Sequence, residues 1–345
     1  MKQKFRFMFF LMVAFAITVK ATAQETRSFS KSWPVGDIET LQVINKYGEV
    51  RVSDNGSNQV TVNVRVEVEG SGSLAQEVLD DISVNFSLSG KKAVAETKFS
   101  SSFRSKGRFS IDYTIFIPAS KNLMISNKFG NVVMQNLTGK GTIDIGYGNL
   151  TAGRLHTPGA DGLSINLEYG KADIESVQDA GITVSYSKLF LKNGGTLTLT
   201  TKYSTVEIDK AIVLGLDSKY DTFSFGTLDN LSAESKFSNY KIGTLTKRLK
   251  MESGYGSIRV EHIPAGFDEL EVNSSFAQVS LGIEAGAAYS VEASCEFCTI
   301  EYPQTSFNGN RIKENTSQSI EGKVAGGGTS RIRVTSRYGN IKLVR

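Results

Sequence analysis

Residues 199–225 read LTTKYSTVEIDKAIVLGLDSKYDTFSF, and this stretch decides the fold. Tyr203-Ser204 and Tyr220-Asp221 lie 17 residues apart, and the side chains around both pairs follow the same order of apolar and polar residues. Self-similarity at a fixed period is typical of repeat proteins. We therefore looked along the whole chain for other aromatic residues that are followed by a small or turn-forming one.

An aromatic residue followed by a small or turn-forming residue occurs at twelve such positions between Tyr47 and Tyr338. Apolar residues occupy the positions four before, three after and five after every aromatic residue. A pattern this regular predicts one structural unit per repeat. The ten rings of the central stretch, spaced 17 to 22 residues apart, are Phe129, Tyr147, Tyr169, Tyr186, Tyr203, Tyr220, Phe237, Tyr255, Phe276 and Phe297.

The offsets around each ring predict a strand, a corner and a second strand. The apolar residue four positions before the ring fits the two-residue period of a strand with one buried face. The apolar residues three and five positions after the ring fit the same period only if one residue at the corner is left out of the alternation. We place the skipped residue at the Gly, Ser or Asp after the ring, because these residues adopt left-handed or turn backbone readily. This assignment points the rings inward as a dry structural ladder, and it argues against an exposed platform for stacking sugars.

Each unit is too short to bury both of its strands alone, so successive units must stack with parallel pairing about 4.8 Å apart. The predicted fold class is therefore all-β, a single-chain parallel β-solenoid of about ten coils of 17 to 22 residues.

The N-terminus indicates export. Three basic residues precede an apolar run at 7–19, which ends before the small-x-small pattern of residues 21–23. This pattern is typical of a signal peptide, and the run is too short to span a membrane. Cleavage after residue 23 removes four basic groups and no acidic one, so the exported chain is formally neutral and its charge indicates no nucleic-acid partner.

Composition divides the rest of the chain into four regions. Residues 24–122 form a β-rich N-terminal cap that includes the first repeat-like strand pair, and a short helix is expected at 74–82. The solenoid repeats cover 123–302. A Ser/Gly-rich stretch at 303–330 is expected to be a mobile insertion before the closing strands at 331–345.

Charged residues recur beside the rings on the outward positions of the strands. Parallel stacking should place them in two neighbouring columns, and these form either a solvated face that resists aggregation or a polar patch for a charged glycan or a divalent cation. The lysine column is Lys202, Lys219 and Lys236, and the acid column is Asp217, Glu234 and Glu252.

Nothing in the sequence indicates catalysis. Hydrolases and lyases of glycans need carboxylates that converge in a cleft, and the adjacent acids Asp80 and Asp81 lie outside the repeats. There is no Gly-x-Ser-x-Gly motif, and both histidines, His156 and His262, fall at the ends of predicted strands or in loops. With two His and two Cys we expect neither a metal centre nor a cofactor.

The spacing of Cys295 and Cys298 matches a redox motif, but no helix or βαβ unit surrounds it. We expect a structural role for the pair, either as two small residues or as a local disulfide bridge.

Four stretches resemble the bacterial putative-adhesin domain family of β-solenoids. They are the alternating valines of 60–68, the strand at 111–118, and the ring corners at 127–132 and 336–341. The resemblance covers nearly all of the exported chain. It implies a repeat-built protein of the periplasm or cell surface, and the family has no catalytic signature to carry over.

We therefore expect a non-catalytic adhesin-like or scaffold protein that binds a glycan, a cell-envelope component or another protein. Two alternatives remain open at this stage. One is a polysaccharide-processing enzyme on a β-helix. The other is a partner in envelope assembly or envelope stress that acts through the N-terminal cap.

Overall fold

The structure is a computed structural model that describes residues 24–104, 107–157, 159 and 162–344. The expected signal peptide, 1–23, lies outside these residues. Over the described residues the chain folds as an all-β parallel solenoid of about nine turns, which confirms the predicted fold class.

The N-terminal region combines one coil of the solenoid with a cap. Its elements are β1 (Gln24–Pro34), β2 (Thr40–Lys46), β3 (Val50–Ser53), β4 (Gln59–Glu69), helix α1 (Ser73–Asp80), β5 (Ile82–Ser89), β6 (Lys92–Phe99) and β7 (Phe109–Phe116), with a short 3₁₀ turn at Val35–Asp37.

The repeats begin with separate short strands and continue as longer strands that run through one corner of the coil. They are β8 (Asn122–Lys128), β9 (Val132–Leu137), β10 (Gly141–Gly146), β11 (Asn149–Leu155), β12 (Leu163–Glu168), β13 (Lys171–Ser185), β14 (Lys188–Lys202), β15 (Thr205–Lys219), β16 (Thr222–Lys236), β17 (Ser238–Ile263) and β18 (Glu269–Ile283). The C-terminal elements are β19 (Tyr289–Glu296), β20 (Ile300–Glu301), β21 (Phe307–Lys313), β22 (Ser317–Val324), β23 (Ser330–Arg337) and β24 (Ile341–Lys342).

Successive coils pair in parallel with equivalent residues opposite each other. Leu199 lies opposite Leu216, and Val206 lies opposite Phe223, as the 17-residue period requires. Every apolar position predicted from the offsets around the rings is buried. The core is therefore a continuous aliphatic interior that runs the length of the solenoid, with aromatic side chains at only a few inward positions, such as Phe223 and Tyr240.

The cap covers the N-terminal end of the first coil. Strands β2 and β3 pair with β8 and β9 on one side and with β6 and β7 on the other. The cap adds the antiparallel series β1–β4–β7 and the hairpin β5–β6. Helix α1 contacts β1, β4 and β5, so the predicted short helix is present.

The C-terminal strands do not follow the order of the sequence. Strand β23 lies between β18 and β19 and pairs in parallel with both, so the chain returns to insert its last repeat between two earlier coils. Strands β21 and β22 form a hairpin, and all eight residues of β22 pair antiparallel with β19. The expectation of a mobile insertion at 303–330 is wrong, because the backbone of this segment completes the hydrogen bonding of an otherwise open strand edge.

Candidate functional site: an exposed aromatic ladder and its charged borders

One edge of the solenoid carries a continuous stack of twelve rings, here called the aromatic ladder. Neighbouring ring centroids are 4.6 to 5.2 Å apart, and neighbouring planes are within 20° of parallel. In spatial order the rings are Tyr47, Phe129, Tyr147, Tyr169, Tyr186, Tyr203, Tyr220, Phe237, Tyr255, Phe276, Tyr338 and Phe297. Tyr338 lies before Phe297 because β23 is inserted before β19.

The ladder faces solvent, so the prediction of an inward, dry column is wrong. Its residues are between 38% and 54% exposed, with Tyr47 the least and Tyr147 the most accessible. The backbone explains the difference, because ten of the twelve aromatic residues have φ between 50° and 65°. The ring residue itself adopts the left-handed conformation, which turns its side chain outward. The residue that interrupts the inward–outward alternation is therefore the ring residue and not, as predicted, the residue after it.

The small residue after each ring points inward, where there is little space. Ser204, Asp221 and Ser238 are buried at this position. A Cβ atom on Gly148 would lie 1.9 Å from the carbonyl oxygen of Gly130 in the coil before it. Because the backbones of adjacent coils approach this closely, an aromatic side chain cannot occupy the inward position, and the ring must be the residue that turns outward.

The buried corner is stabilised by hydrogen bonds between coils, and in the glycine-containing coils asparagine side chains accept them. The Oδ1 of Asn131 accepts from the backbone N–H of Asn149 at 3.0 Å, and the Oδ1 of Asn149 accepts from the N–H of Lys171 at 3.0 Å. These asparagines follow the glycines directly, as in Tyr147-Gly148-Asn149.

In the next four coils the residue after the ring accepts instead. Ser187 Oγ accepts from the N–H of Gly170 at 2.9 Å, and Asp221 Oδ1 accepts from the N–H of Ser204 at 2.7 Å. Ser238 Oγ in turn accepts from the N–H of Asp221 at 3.1 Å. Both forms of the corner therefore give a backbone amide a side-chain acceptor from a neighbouring coil. The amides of Ser204 and Asp221 are buried, whereas those of Asn149 and Lys171 are exposed.

Asp221 is the one carboxylate in this buried series. Its Oδ2 accepts from the Thr201 hydroxyl at 2.7 Å and from the N–H of Lys219 at 2.9 Å. Burial nevertheless raises the pKa of the Asp221 carboxyl above its usual value, although these hydrogen bonds oppose the shift. Close by, the Tyr240 hydroxyl lies 2.8 Å from Ser218 Oγ, and burial raises the pKa of Tyr240 to about 12.

Stacking determines which part of each ring a ligand can reach. Because neighbouring planes are nearly parallel, the faces of the interior rings are covered, and the exposed surface consists of ring edges and tyrosine hydroxyl groups. A sugar cannot stack on these faces, since that contact needs a free aromatic face. At the N-terminal end the ladder is closed by Phe99 and Phe109, whose rings meet Tyr47 at steep angles, and Phe103 packs against both of these phenylalanines.

The register brings the six predicted charged residues together beside the ladder. Lys202, Lys219 and Lys236 lie opposite one another on successive coils, as do Asp217, Glu234 and Glu252. Within the described part of the chain none of the six forms a salt bridge. The Lys202 ammonium instead lies 5.6 Å from the centre of the Tyr203 ring.

The other residues considered from the sequence lie apart from this face. Asp80 forms a salt bridge with Arg27 at 2.5 Å, and the hydrogen bond from that guanidinium lowers the pKa of the carboxyl. His156 Nε2 lies 2.7 Å from Ser176 Oγ, and the buried Nδ1 of His262 has no hydrogen-bond partner among the residues that the structure describes.

Cys295 and Cys298 are joined by a disulfide, the second of the two structural roles considered. Across the described ranges no three His, Cys, Asp or Glu side chains cluster as metal ligands. Nor does the described structure include a helix of the length and hydropathy that crossing a membrane requires.

Comparison with known proteins returned solved structures only. No protein-family model matches the sequence, and no curated protein does so either. A cell adhesion protein from Clostridium sporogenes, described as putative, is 9% identical over 92% of this chain and 98% of its own, with a TM-score of 0.23. A putative adhesin from Bacteroides fragilis is 9% identical over 92% of this chain and 96% of its own, with a TM-score of 0.29.

A putative adhesin from Parabacteroides merdae is 10% identical over 75% of this chain and 92% of its own, with a TM-score of 0.28. All three are described as adhesins or cell adhesion proteins.

Proposed function

We propose that this chain is a non-catalytic, exported adhesin-like scaffold that binds a glycan, a cell-envelope component or a protein through its charged face. That face consists of the lysine column (Lys202, Lys219, Lys236) and the acid column (Asp217, Glu234, Glu252). The pattern of residues 1–23 supports export to the periplasm or cell surface.

The observation that carries the proposal is the stacking of like charges without partners. Side chains directly opposite each other on paired strands are about 5 Å apart, and like charges at that distance destabilise a sheet. Elsewhere in this protein opposite charges face each other on paired strands and form ion pairs, as Arg333 and Glu292 do at 3.2 Å. Columns that violate this rule are expected where a partner supplies the opposite charge.

The position of the two columns indicates the chemistry of the partner. The lysines lie between the acids and the ladder, so an anionic group bound at Lys219 would rest against the ring edges of Tyr203 and Tyr220. Carboxylate or sulfate groups of an acidic glycan, or an acidic protein surface, fit this position. If the anionic groups of the partner moved from the lysines toward the neighbouring acid column, repulsion between like charges would disfavour that position.

The arrangement gives no support to the enzyme alternative. Hydrolysis of a glycan by two carboxylates requires them to face each other across the scissile bond. Asp217, Glu234 and Glu252 instead follow one another along a single column on an open sheet surface. Incubation with a panel of uronic-acid polymers should therefore release no unsaturated or shortened product, and release of such product would favour a lyase or hydrolase.

Neutralising the lysine column tests the proposal. The variant Lys202→Gln/Lys219→Gln/Lys236→Gln should lose binding on a glycan array, or capture of a partner from the native envelope, by roughly tenfold or more. A matched control, Lys140→Gln/Lys192→Gln/Lys210→Gln, removes the same charge from exposed positions elsewhere and should bind as the parent does. Equal binding by the parent and both variants would discard this face as the binding site.

A further inference from the structure

The aromatic ladder is a larger apolar surface than an isolated protein usually exposes, and we propose that it is the interface of a parallel homodimer. In this dimer two copies lie side by side with their ladders in contact, and the twofold axis runs along the ladder. Each ring then meets the same ring of the second copy, and both N-terminal caps lie at the same end.

The exposed area is sufficient for a stable dimer. Twelve half-exposed aromatic residues present roughly 1,000 Å² along one edge, tyrosine hydroxyl groups included, whereas the largest apolar patch of a typical monomer is about 300 to 600 Å². A stable interface of standard size needs about 800 Å² from each partner. The exposed area of the ladder is therefore larger than the required area, and the side chains that border it would add to the buried surface.

A second copy of the chain also fits the chemistry of the exposed edges. Eight of the twelve rings are tyrosines and four are phenylalanines, and their order along the ladder is irregular. In the parallel arrangement every tyrosine hydroxyl meets another hydroxyl, and every phenylalanine edge meets another. A purely apolar partner would leave the tyrosine hydroxyls without a hydrogen-bond partner.

The side chains that border the ladder match across the same axis. The residue before each ring on one copy faces the residue two after the equivalent ring on the other copy. None of the twelve such pairs brings like charges together. Two pairs bring opposite charges together: Lys46 with the partner's Glu49, and Glu168 with the partner's Lys171.

The antiparallel arrangement is disfavoured by the same residues. With the ladders fully overlapped in opposite directions, Lys202 would face the partner's Lys219, and Lys128 would face the partner's Arg337. All four phenylalanines would then meet tyrosine hydroxyls. Charge and ring order thus both select the parallel dimer.

Charge substitutions beside the ladder test both the dimer and its direction. Thr205 and Thr222 border the ladder opposite the lysine column. In the parallel dimer they face the partner's Lys202 and Lys219, whereas in the antiparallel dimer they face each other. Thr205→Glu/Thr222→Glu should therefore strengthen a parallel dimer and weaken an antiparallel one, while Thr205→Lys/Thr222→Lys should weaken both.

The full chain, expressed with its own N-terminal segment and purified after export, would be studied by sedimentation velocity over a dilution series. We expect the mass of two chains at high concentration, a dissociation constant raised roughly tenfold by the lysine variant, and one lowered by the glutamate variant. Thr198→Lys/Ser224→Lys, at exposed positions away from the ladder, should match the parent, and thermal melts would verify folding.

A monomer at all concentrations, or a dimer that the glutamate variant weakens, would overturn the proposal. Because mass is the readout, a monomer would leave the proposed binding by the charged face unaffected. A dimer would cover the ring edges of Tyr203 and Tyr220, so an anionic ligand at Lys219 and the second copy would compete for this surface.

Discussion

Tyr220 stacks on Phe237 with ring centroids 4.9 Å apart and planes 4° from parallel, although both residues are about 45% exposed. The same relationship holds along the ladder, so the most regular packing in the molecule lies outside its core. A left-handed backbone costs about 1 to 2 kcal/mol for a residue other than glycine. One stacked pair contributes about 0.5 to 1.5 kcal/mol, and half-burying a ring contributes roughly 2 kcal/mol more, so together they offset that cost.

This balance predicts the effect of removing one ring from the ladder. Tyr203→Asn should lower the free energy of unfolding by about 2 to 3 kcal/mol, even though asparagine adopts the left-handed conformation more readily than tyrosine. Urea unfolding measures the difference. Tyr203→Phe keeps the stacked ring and should stay within about 0.5 kcal/mol of the parent. An asparagine variant as stable as the parent would show that stacking contributes nothing to the corner.

Close approach of adjacent coils predicts opposite outcomes for two glycines. Gly148→Ala places a methyl group against the Gly130 carbonyl, and we expect a loss of about 2 to 4 kcal/mol because the coils must separate. Gly181→Ala meets no atom within 4 Å and should be neutral or stabilising by up to about 1 kcal/mol. Thermal denaturation of both variants measures the two changes in stability. Equal losses of stability in Gly148→Ala and Gly181→Ala would contradict the crowding at the corner.

The periodic positions of the core could be predicted from the sequence. Leu199, Val206 and Ile208 are buried as expected, because the two-residue period of a strand leaves no choice of face once a few apolar positions are known. The stacking of Lys202 on Lys219 followed from the repeat length alone, since equivalent residues of successive coils must lie opposite each other.

The direction of the rings could not be predicted from propensity. The residue that interrupts the alternation of the strand can be either Tyr203 or Ser204. Conformational preference favours Ser204, because serine adopts turn backbone more readily than tyrosine does. The crowding of adjacent backbones decides in favour of the ring, and crowding is a tertiary property. The signal in the sequence was that only Gly, Ser, Asp, Ala or Cys follows any ring, which indicates a confined inward position.

The spatial order of the last coils could not be predicted from the sequence either. Strand pairing depends on distant segments, and nothing within residues 330–337 indicates that they insert between β18 and β19.

The buried carboxyl of Asp221 predicts a particular dependence of stability on pH. Its folded-state pKa is raised, so its contribution is fullest in acid and is lost as the pH rises through that pKa. Asp221→Ser extends the serine series of Ser187, Ser204 and Ser238 and has no such loss. The free energy of unfolding of the parent minus that of the variant should therefore fall as the pH rises above about 4, the usual pKa of an aspartate. A difference that stays constant or rises would contradict the assignment.

The hydroxyl of Tyr240 predicts a change at alkaline pH. Its pKa is raised from 10 to about 12, so the stability it contributes is present below pH 10 and is lost as the pH approaches 12. Tyr240→Phe removes the hydrogen bond with Ser218 and should cost about 1 kcal/mol near neutral pH. Urea midpoints of parent and variant should converge as the pH rises to about 11, and midpoints that stay equally far apart would contradict the raised pKa of Tyr240.

Hydroxyl-radical footprinting read by mass spectrometry tests most directly whether the ladder faces solvent. It should be done at a concentration where sedimentation shows a monomer. Tyr203 and Tyr220, each about 45% exposed, should be oxidised readily in the folded protein, while Tyr240, which is 2% exposed, should be protected until the chain unfolds. Protection of Tyr203 and Tyr220 equal to that of Tyr240 would place the rings in the interior and contradict this account.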